Sequence, residues 1–229
     1  MNNKADIVKV LENRIISGEY AIGEALKSER VLAEEFGVSK TVMHEAMMVL
    51  KEKKLIESKA RSRNTVTDWV RNADINVFQV LLDCAEDNVT EDIAKAFAGF
   101  RIFNEGKCAA LAAQNRTDED LALMKEALDR IETATSVTEF AAALTDFHHR
   151  IFNASGNKLY AIIFGTFHHL IEKWEEKMFP DWENYNIATI RYIYNAIERR
   201  NAINAECTMT AYTTEGAMRL SKVSRKRVN

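Results

Sequence analysis

The chain has 229 residues, with 31 Lys+Arg against 34 Asp+Glu, a net charge of -3 and 47% apolar residues. That length and balance exclude a disordered polyelectrolyte and leave room for two domains, each with its own core. One proline and eight glycines favour helix almost throughout. No apolar run approaches the roughly 20 residues of a membrane span. The N-terminus lacks the apolar stretch of a secretion signal, so a cytoplasmic protein with no membrane partner is expected. Cys84, Cys108 and Cys207 are odd in number and scattered, which fits packing residues better than a disulfide framework or a zinc pattern.

Residues 4–17 place Ile7, Val8, Leu11, Ile15 and Ile16 on one side of a helix that Gly18 ends. Gly18 and Gly23 mark turns in the segment that follows. From Ser28 to Leu50 the pattern reads as two helices joined by a tight turn. Leu32, Ala33 and Phe36 make one apolar face, and Gly37 supplies the left-handed residue that ends the first helix. Ser39 sits at an N-cap position, and Val42, Met43, Ala46, Met47 and Leu50 keep the helical period after it. Lys40, Thr41 and His44 lie between those positions and can donate to phosphates or reach base edges. A helix with donors near its start, braced by a shorter helix and a turn, is a helix-turn-helix suited to the major groove of double-stranded DNA.

After Leu50, Leu55-Ile56 and Thr65-Val66-Thr67 are short β-prone pieces around a basic, polar tip at Lys59–Asn64. Two strands with such a tip predict a wing lying over a phosphate strand or in the minor groove. Residues 1–71 carry 13 Lys+Arg against 11 Asp+Glu, and the remainder 18 against 23. A locally basic edge on an acidic protein suffices for phosphate contact, because screening confines these interactions to about 10 Å.

These residues resemble the DNA-binding domain of the GntR family of bacterial transcription regulators. The series runs Gly18, Gly23, Leu26, Ser28-Glu29-Arg30, Leu32-Ala33 and Phe36-Gly37-Val38-Ser39. It continues through Thr41, Glu45-Ala46, Leu50 and Leu55-Ile56. The resemblance spans about the first seventy residues and implies a winged helix-turn-helix that contacts DNA through Arg30, Ser39, Lys40, Thr41, His44, Arg61 and Arg63. Three features depart from it. The family usually has Arg at the positions of Lys40 and His44, and a glycine in the wing tip where this chain has Ala60-Arg61-Ser62-Arg63. Lys lacks the bidentate fork that reads guanine, and His is mostly neutral at pH 7 unless a phosphate raises its pKa. An altered sequence preference follows.

Residues 68–76 look like a linker. From Val77 the sequence is amphipathic helix, with helices expected at 75–86, 90–115, 117–134, 137–154, 157–178, 183–200 and 202–221. Thr90, Thr117 and Ser136 suit N-caps, and Ser155-Gly156-Asn157 and Phe179-Pro180-Asp181 are breaks. The fold class is therefore mainly α: a winged helix-turn-helix with a small β wing at 1–69, a linker at 70–76, an all-α antiparallel helical bundle at 77–222 and a basic tail at 223–229. The bundle resembles the FCD-type effector domain of the FadR branch of the same family. The matching pieces are Arg101, Glu105, Ala109–Ala113, Asp118-Glu119-Asp120-Leu121, Phe147-His148 and Ala154-Ser155-Gly156-Asn157.

Many FCD-type domains bind a divalent ion through an Asp one turn before the His of Phe-His, plus two later His. Here His148 matches the first His, but Leu144 takes the Asp position, and Ile190 and Tyr212 take the later His positions. One ligand of four does not hold a metal, so no metal and no cofactor are expected. An off-pattern alternative is the pair of Phe-His-His runs, which puts His148 and His149 near His168 and His169. Arg101 has two readings. The resemblance implies a cavity residue that binds an effector carboxylate, while the i,i+4 spacing allows a plain ion pair with Glu105. His148 and Tyr212 complete the expected effector-binding set. Phe147, Tyr160, Phe164, Phe167, Trp174, Tyr192 and Tyr212 are cavity lining or core.

The function these features imply is a regulator, with repression the family habit. It would bind a palindromic operator as a homodimer and answer to a small organic effector, a carboxylate if Arg101 faces the cavity. An enzyme is disfavoured. His44-Glu45-Ala46-Met47-Met48 opens like a zinc-protease motif but has Met48 for the second His, and no phosphate loop, dinucleotide fingerprint or nucleophile elbow is present. The alternative is a regulator-like protein with weakened DNA binding that acts through protein contacts.

Overall fold

The computed structural model describes residues 3–58, 63–87 and 91–225. The chain forms two compact units, Met1–Asn88 and Val89–Asn229. In the first, α1 (Lys4–Ile16) buries Ile7, Val8, Leu11, Ile15 and Ile16, as the periodicity predicts. The next two helices are α2 (Glu29–Phe36) and α3 (Lys40–Glu52). Strands β1 (Ile56–Ser58) and β2 (Asn64–Val66) pair antiparallel with Ile56 opposite Val66. The segment before α2 extends this hairpin, since Leu26 N donates to Asn64 O at 2.8 Å and Val66 N to Glu24 O at 2.9 Å. The tip between the strands, with Arg61, lies outside the described residues, as does the expected cap Thr90.

Helix α4 (Ile75–Asp87) belongs to this first unit, whereas the sequence reading placed residues from 77 onward with the bundle. It packs on α1. Its buried stripe of Val77, Val80, Cys84 and Ala85 finds an apolar neighbour there, which sequence period alone does not identify. Burial pushes the Cys84 thiol up to about 12, the behaviour of a packing cysteine.

The second unit contains α5 (Glu91–Asn115), α6 (Asp118–Thr133), α7 (Val137–Ala154), α8 (Lys158–Thr166), α9 (His168–Met178), α10 (Ala188–Glu198) and α11 (Ala202–Arg225). Thr117 caps α6 in a reciprocal capping box with Asp120, and the Ser136 hydroxyl accepts from Glu139 N at 3.2 Å to open α7. Helix α5 packs most extensively on α11. Gly106 permits their close approach, because a Cβ there would run into Thr210 Oγ1 and sit 3.2 Å from Glu206 O.

Two expected helices are interrupted. The helix expected at 157–178 breaks at Phe167 into α8 and α9. Phe167 is buried and meets Phe97 edge-on at 4.7 Å, while Phe164 stacks on Phe152 at 3.8 Å. A straight helix would carry these two rings round at a fixed 100° per residue; the bend lets each find its own partner. The helix expected at 183–200 becomes a 3-10 turn, Trp182–Asn184, followed by α10. Asn186 accepts from Ala188 N at 2.9 Å and moves the helix start past the turn. Among the described residues no helix is long and apolar enough to cross a membrane.

Candidate DNA-contact surface and effector site

The helix-turn-helix is built by caps. Ser28 and Ser39 open α2 and α3 in extended backbone conformation, and the Ser39 hydroxyl accepts from Val42 N at 3.2 Å. Gly37 between them has φ 65, the left-handed region where a side chain costs strain. Met43, Ala46, Met47 and Leu50 of α3 are fully buried. The opposite face exposes Lys40, Thr41, His44, Glu45 and Met48. Three expected contact residues therefore share one solvent-facing stripe on α3, with Ser39 at its head.

Carboxylates hold two of the candidate residues. His44 Nδ1 lies 3.0 Å from Glu29 Oε2, and Arg30 Nη1 lies 2.6 Å from Glu34 Oε1. Sequence reasoning missed Glu29. It sits fifteen positions before His44, and no periodicity links residues on two helices. Arg63 is exposed just before β2. Behind the surface, Glu35 accepts from Arg14 Nη1 at 3.0 Å and from Lys27 Nζ at 2.7 Å, tying α1 to α2. The Lys27 and Arg14 bonds hold the Glu35 carboxyl below the usual range.

In the second unit, α5, α7, α9 and α11 bring together a buried polar cluster. The Arg101 guanidinium is bound by Glu105 one turn later, with a second contact from Nη2 to Oε2 at 3.4 Å. Glu105 Oε2 also lies 3.2 Å from His148 Nδ1. The His148 ring faces Tyr212 at 5.2 Å between centroids and is 2% exposed. Glu175 accepts from Thr145 Oγ1 at 2.7 Å. All three expected effector residues thus meet in one place. Glu175 and Thr145 were not foreseen, although Ile171, Trp174, Glu175 and Met178 follow the spacing of a buried helical stripe, and that was the available signal.

Burial opposes every charge in this cluster, and the partners decide the outcome. For Arg101 burial works against the cation, but Glu105 outweighs it and the pKa is raised. Burial works against the Glu105 carboxylate too, yet Arg101 and then His148 bring it down to about 2. Glu175 has weaker help, and burial pushes it up to about 7. Burial also raises the Tyr212 phenol, with Glu175 adding to it. The ion pair between Arg101 and Glu105 is formed.

The residues present do not fit the divalent ion of related domains. Leu144 and Ile190 are fully buried apolar side chains, and the Tyr212 phenol stands third. Arg101 adds a fixed positive charge to the same cluster. The off-pattern histidine set is divided as well. His148 faces the core, while His149 pairs with His168 at 5.7 Å between ring centroids and His169 is exposed. Burial and then the charge of His168 lower the His149 pKa. Of the seven candidate lining aromatics, Phe147, Phe164, Phe167, Trp174 and Tyr212 are buried, Tyr160 is half-buried and Tyr192 is 66% exposed.

Comparison with known proteins agrees with this architecture. Residues 3–66 match the model for bacterial regulatory proteins of the gntR family, and residues 100–215 match the FCD domain. The chain is 28% identical over 231 residues to the transcriptional repressor NanR of Cronobacter sakazakii, covering 94% of this chain and 86% of that one. It is 27% identical over 208 residues to the regulator LutR of Bacillus subtilis, covering 87% and 93%. It is 26% identical over 162 residues to the regulator Mce2R of Mycobacterium tuberculosis, covering 71% and 67%. Among solved structures, Lar of Listeria monocytogenes shares the fold with a TM-score of 0.59 at 18% identity over 96% of each chain. A GntR-family regulator of Pseudomonas syringae does so with a TM-score of 0.53 at 17% identity over 98% of this chain and 86% of that one. The winged helix-turn-helix followed by an FCD domain places the chain in the gntR family of bacterial regulatory proteins, within its FCD-bearing, FadR-like branch.

Proposed function

We propose that this transcription regulator acts in the cytoplasm as a homodimer on a palindromic operator, with a small organic molecule in the helical unit setting the balance between dimer geometries. The observation that carries the reading is the solvent-facing stripe of α3, where Lys40, Thr41 and His44 stand exposed over a fully buried opposite face. Two such helices related by a twofold axis would meet half-sites about 34–36 Å apart. Arg30 and Arg63 would contact phosphates, Arg61 would act from the wing tip, and Ser39 would add its hydroxyl at the head of α3. Repression is the natural outcome when the operator overlaps a promoter. No catalytic step belongs to this reading.

The effector would bind beside Arg101, His148 and Tyr212. Glu105 already occupies the Arg101 fork, so a carboxylate effector has to displace it. Glu175 and His148 offer further polar contacts, and effector binding would act by population shift between the two dimer states. A second reading has one observation in its favour: Glu34 and Glu29 engage Arg30 and His44, which lowers the positive potential that DNA meets. In that case operator binding is weak and protein contacts carry the function.

Selection of genomic fragments by the full chain, followed by mobility shift at several salt concentrations, tests both. The first reading expects retardation that Arg30→Ala and Lys40→Ala reduce. Neutralising Arg30, Lys40, Arg61 and Arg63 in each of two subunits corresponds to a slope of about -7 in log K against log salt. Failure to retain any fragment leaves the second reading.

A further inference from the structure

Met48 is 50% exposed on α3, one helical turn beyond His44. Met43, Ala46, Met47 and Leu50 already fill the buried side of α3, so Met48 stands as an apolar side chain in a polar, solvent-facing stripe. On the same stripe the orientation of His44 is fixed. Its Nδ1 faces Glu29 Oε2 at 3.0 Å, and the His44 side chain is 57% exposed while that of Glu29 is 21% exposed. Glu29 takes the Nδ1 side of the ring, so Nε2 is the nitrogen turned toward solvent. Glu45 beside them lies 3.7 Å from Lys4, which offsets part of its charge.

We infer that Met48 and His44 together read an A·T-containing step of the operator. Met48 packs on a thymine methyl, and His44 presents Nε2 to the edge of a neighbouring base. In the major groove the thymine methyl is the one apolar feature, and adenine N6 and cytosine N4 are the donors. Residues four apart on a helix are separated by about 6 Å along its axis, against a base-pair rise of about 3.4 Å. The two contacts therefore fall within one or two base pairs of each other. An Arg in place of His44 would offer the bidentate fork that selects guanine, which a single ring nitrogen lacks. This inference rests on the DNA-contact reading of α3, and it adds a residue and a base preference that reading does not contain.

The test uses the full chain and the duplex recovered by fragment selection. Each thymine of a half-site is replaced in turn by deoxyuridine, which differs only in lacking the methyl, and binding is followed by fluorescence anisotropy at fixed salt. Loss of one buried methyl corresponds to about a fourfold weaker Kd. The expected result is one such position in each half-site for the wild type. That sensitivity should vanish in Met48→Ala and persist in Met48→Leu, with unchanged circular dichroism melts for both. His44→Arg should shift the preference at the neighbouring position to guanine. If the duplex binds but no thymine shows a methyl effect that Met48→Ala abolishes, the inference is overturned while the DNA-contact reading stands. If no duplex binds at all, both fall together.

Discussion

Replacing Glu175 by Gln should stabilise the helical unit above neutral pH and leave it unchanged in mild acid. Glu175 is buried on α9 with its carboxyl pushed up to about 7, against an ordinary value of 4.5. The groups around it are Thr145 and His148 on α7, Arg101 and Glu105 on α5, and Tyr212 on α11. Between pH 4.5 and 7 the folded state holds a proton that the unfolded state has released. Stability therefore falls as pH rises through this window, and the loss is complete above pH 7. A difference of about 2.5 pH units corresponds to at most about 3 kcal/mol. Gln has the shape of the protonated acid, can still accept from Thr145 Oγ1, and does not titrate. The variant and the wild type should then unfold alike near pH 4.5, while at pH 8 the variant is more stable by about 1–3 kcal/mol. Calorimetric melts of both proteins at half-unit steps from pH 4.5 to 8 read this directly. Taking the difference between the two proteins cancels the contribution of the histidines. Parallel curves over the whole range would refute the reasoning.

Arg101→Ala leaves Glu105 buried without its main partner and should lower stability by about 3–5 kcal/mol, read as a large drop in Tm. Arg101→Leu combined with Glu105→Leu removes both charges and should recover much of that loss. Ser39→Ala deletes the cap of α3, which should cost about 1 kcal/mol and weaken operator binding together, measured by denaturant melts and mobility shift. Zinc, nickel or manganese added to protein purified without an affinity tag should leave Tm unmoved; a stoichiometric rise with any of them would show that the Leu144, Ile190 and Tyr212 positions do not preclude a site.

The first unit was the more legible in sequence. Its signals are local: Ser39 three residues before a backbone N–H it accepts from, Gly37 at the turn, and apolar residues at helical spacing. Each is decided within one or two turns of chain, and each reappears in the structure at the same residue. The wing strands differ from expectation by one or two residues at their ends. What was not legible joins distant segments, such as Glu29 to His44 across the turn, or α4 against α1. In the second unit, N-caps at Thr117 and Ser136 fixed helix starts well, but the bend at Phe167 depends on ring partners on α5 and α7 that sequence period does not reveal. Glu175 is intermediate. Its place in the stripe of Ile171, Trp174 and Met178 was visible, while its partner Thr145 lies thirty positions earlier.

The buried cluster and the apolar residues at the expected metal-ligand positions form one physical arrangement. A divalent ion needs anionic or imidazole donors around it, and two of the four expected positions, Leu144 and Ile190, offer only hydrocarbon. What remains balances its own charge. Arg101 and Glu105 cancel each other, and Glu175 is largely protonated below pH 7. A net-neutral cluster can stay buried without an ion, because the cost of desolvating each charge is met by its partner at contact distance. An ion added beside Arg101 would place positive charge next to positive charge with His148 as the one matching ligand. The same neutrality bears on the proposed effector. A carboxylate entering alone would upset the balance unless it arrived with a proton or took the place of Glu105 on Arg101. An uncharged ligand that hydrogen-bonds to Glu175 or His148 would leave the balance intact.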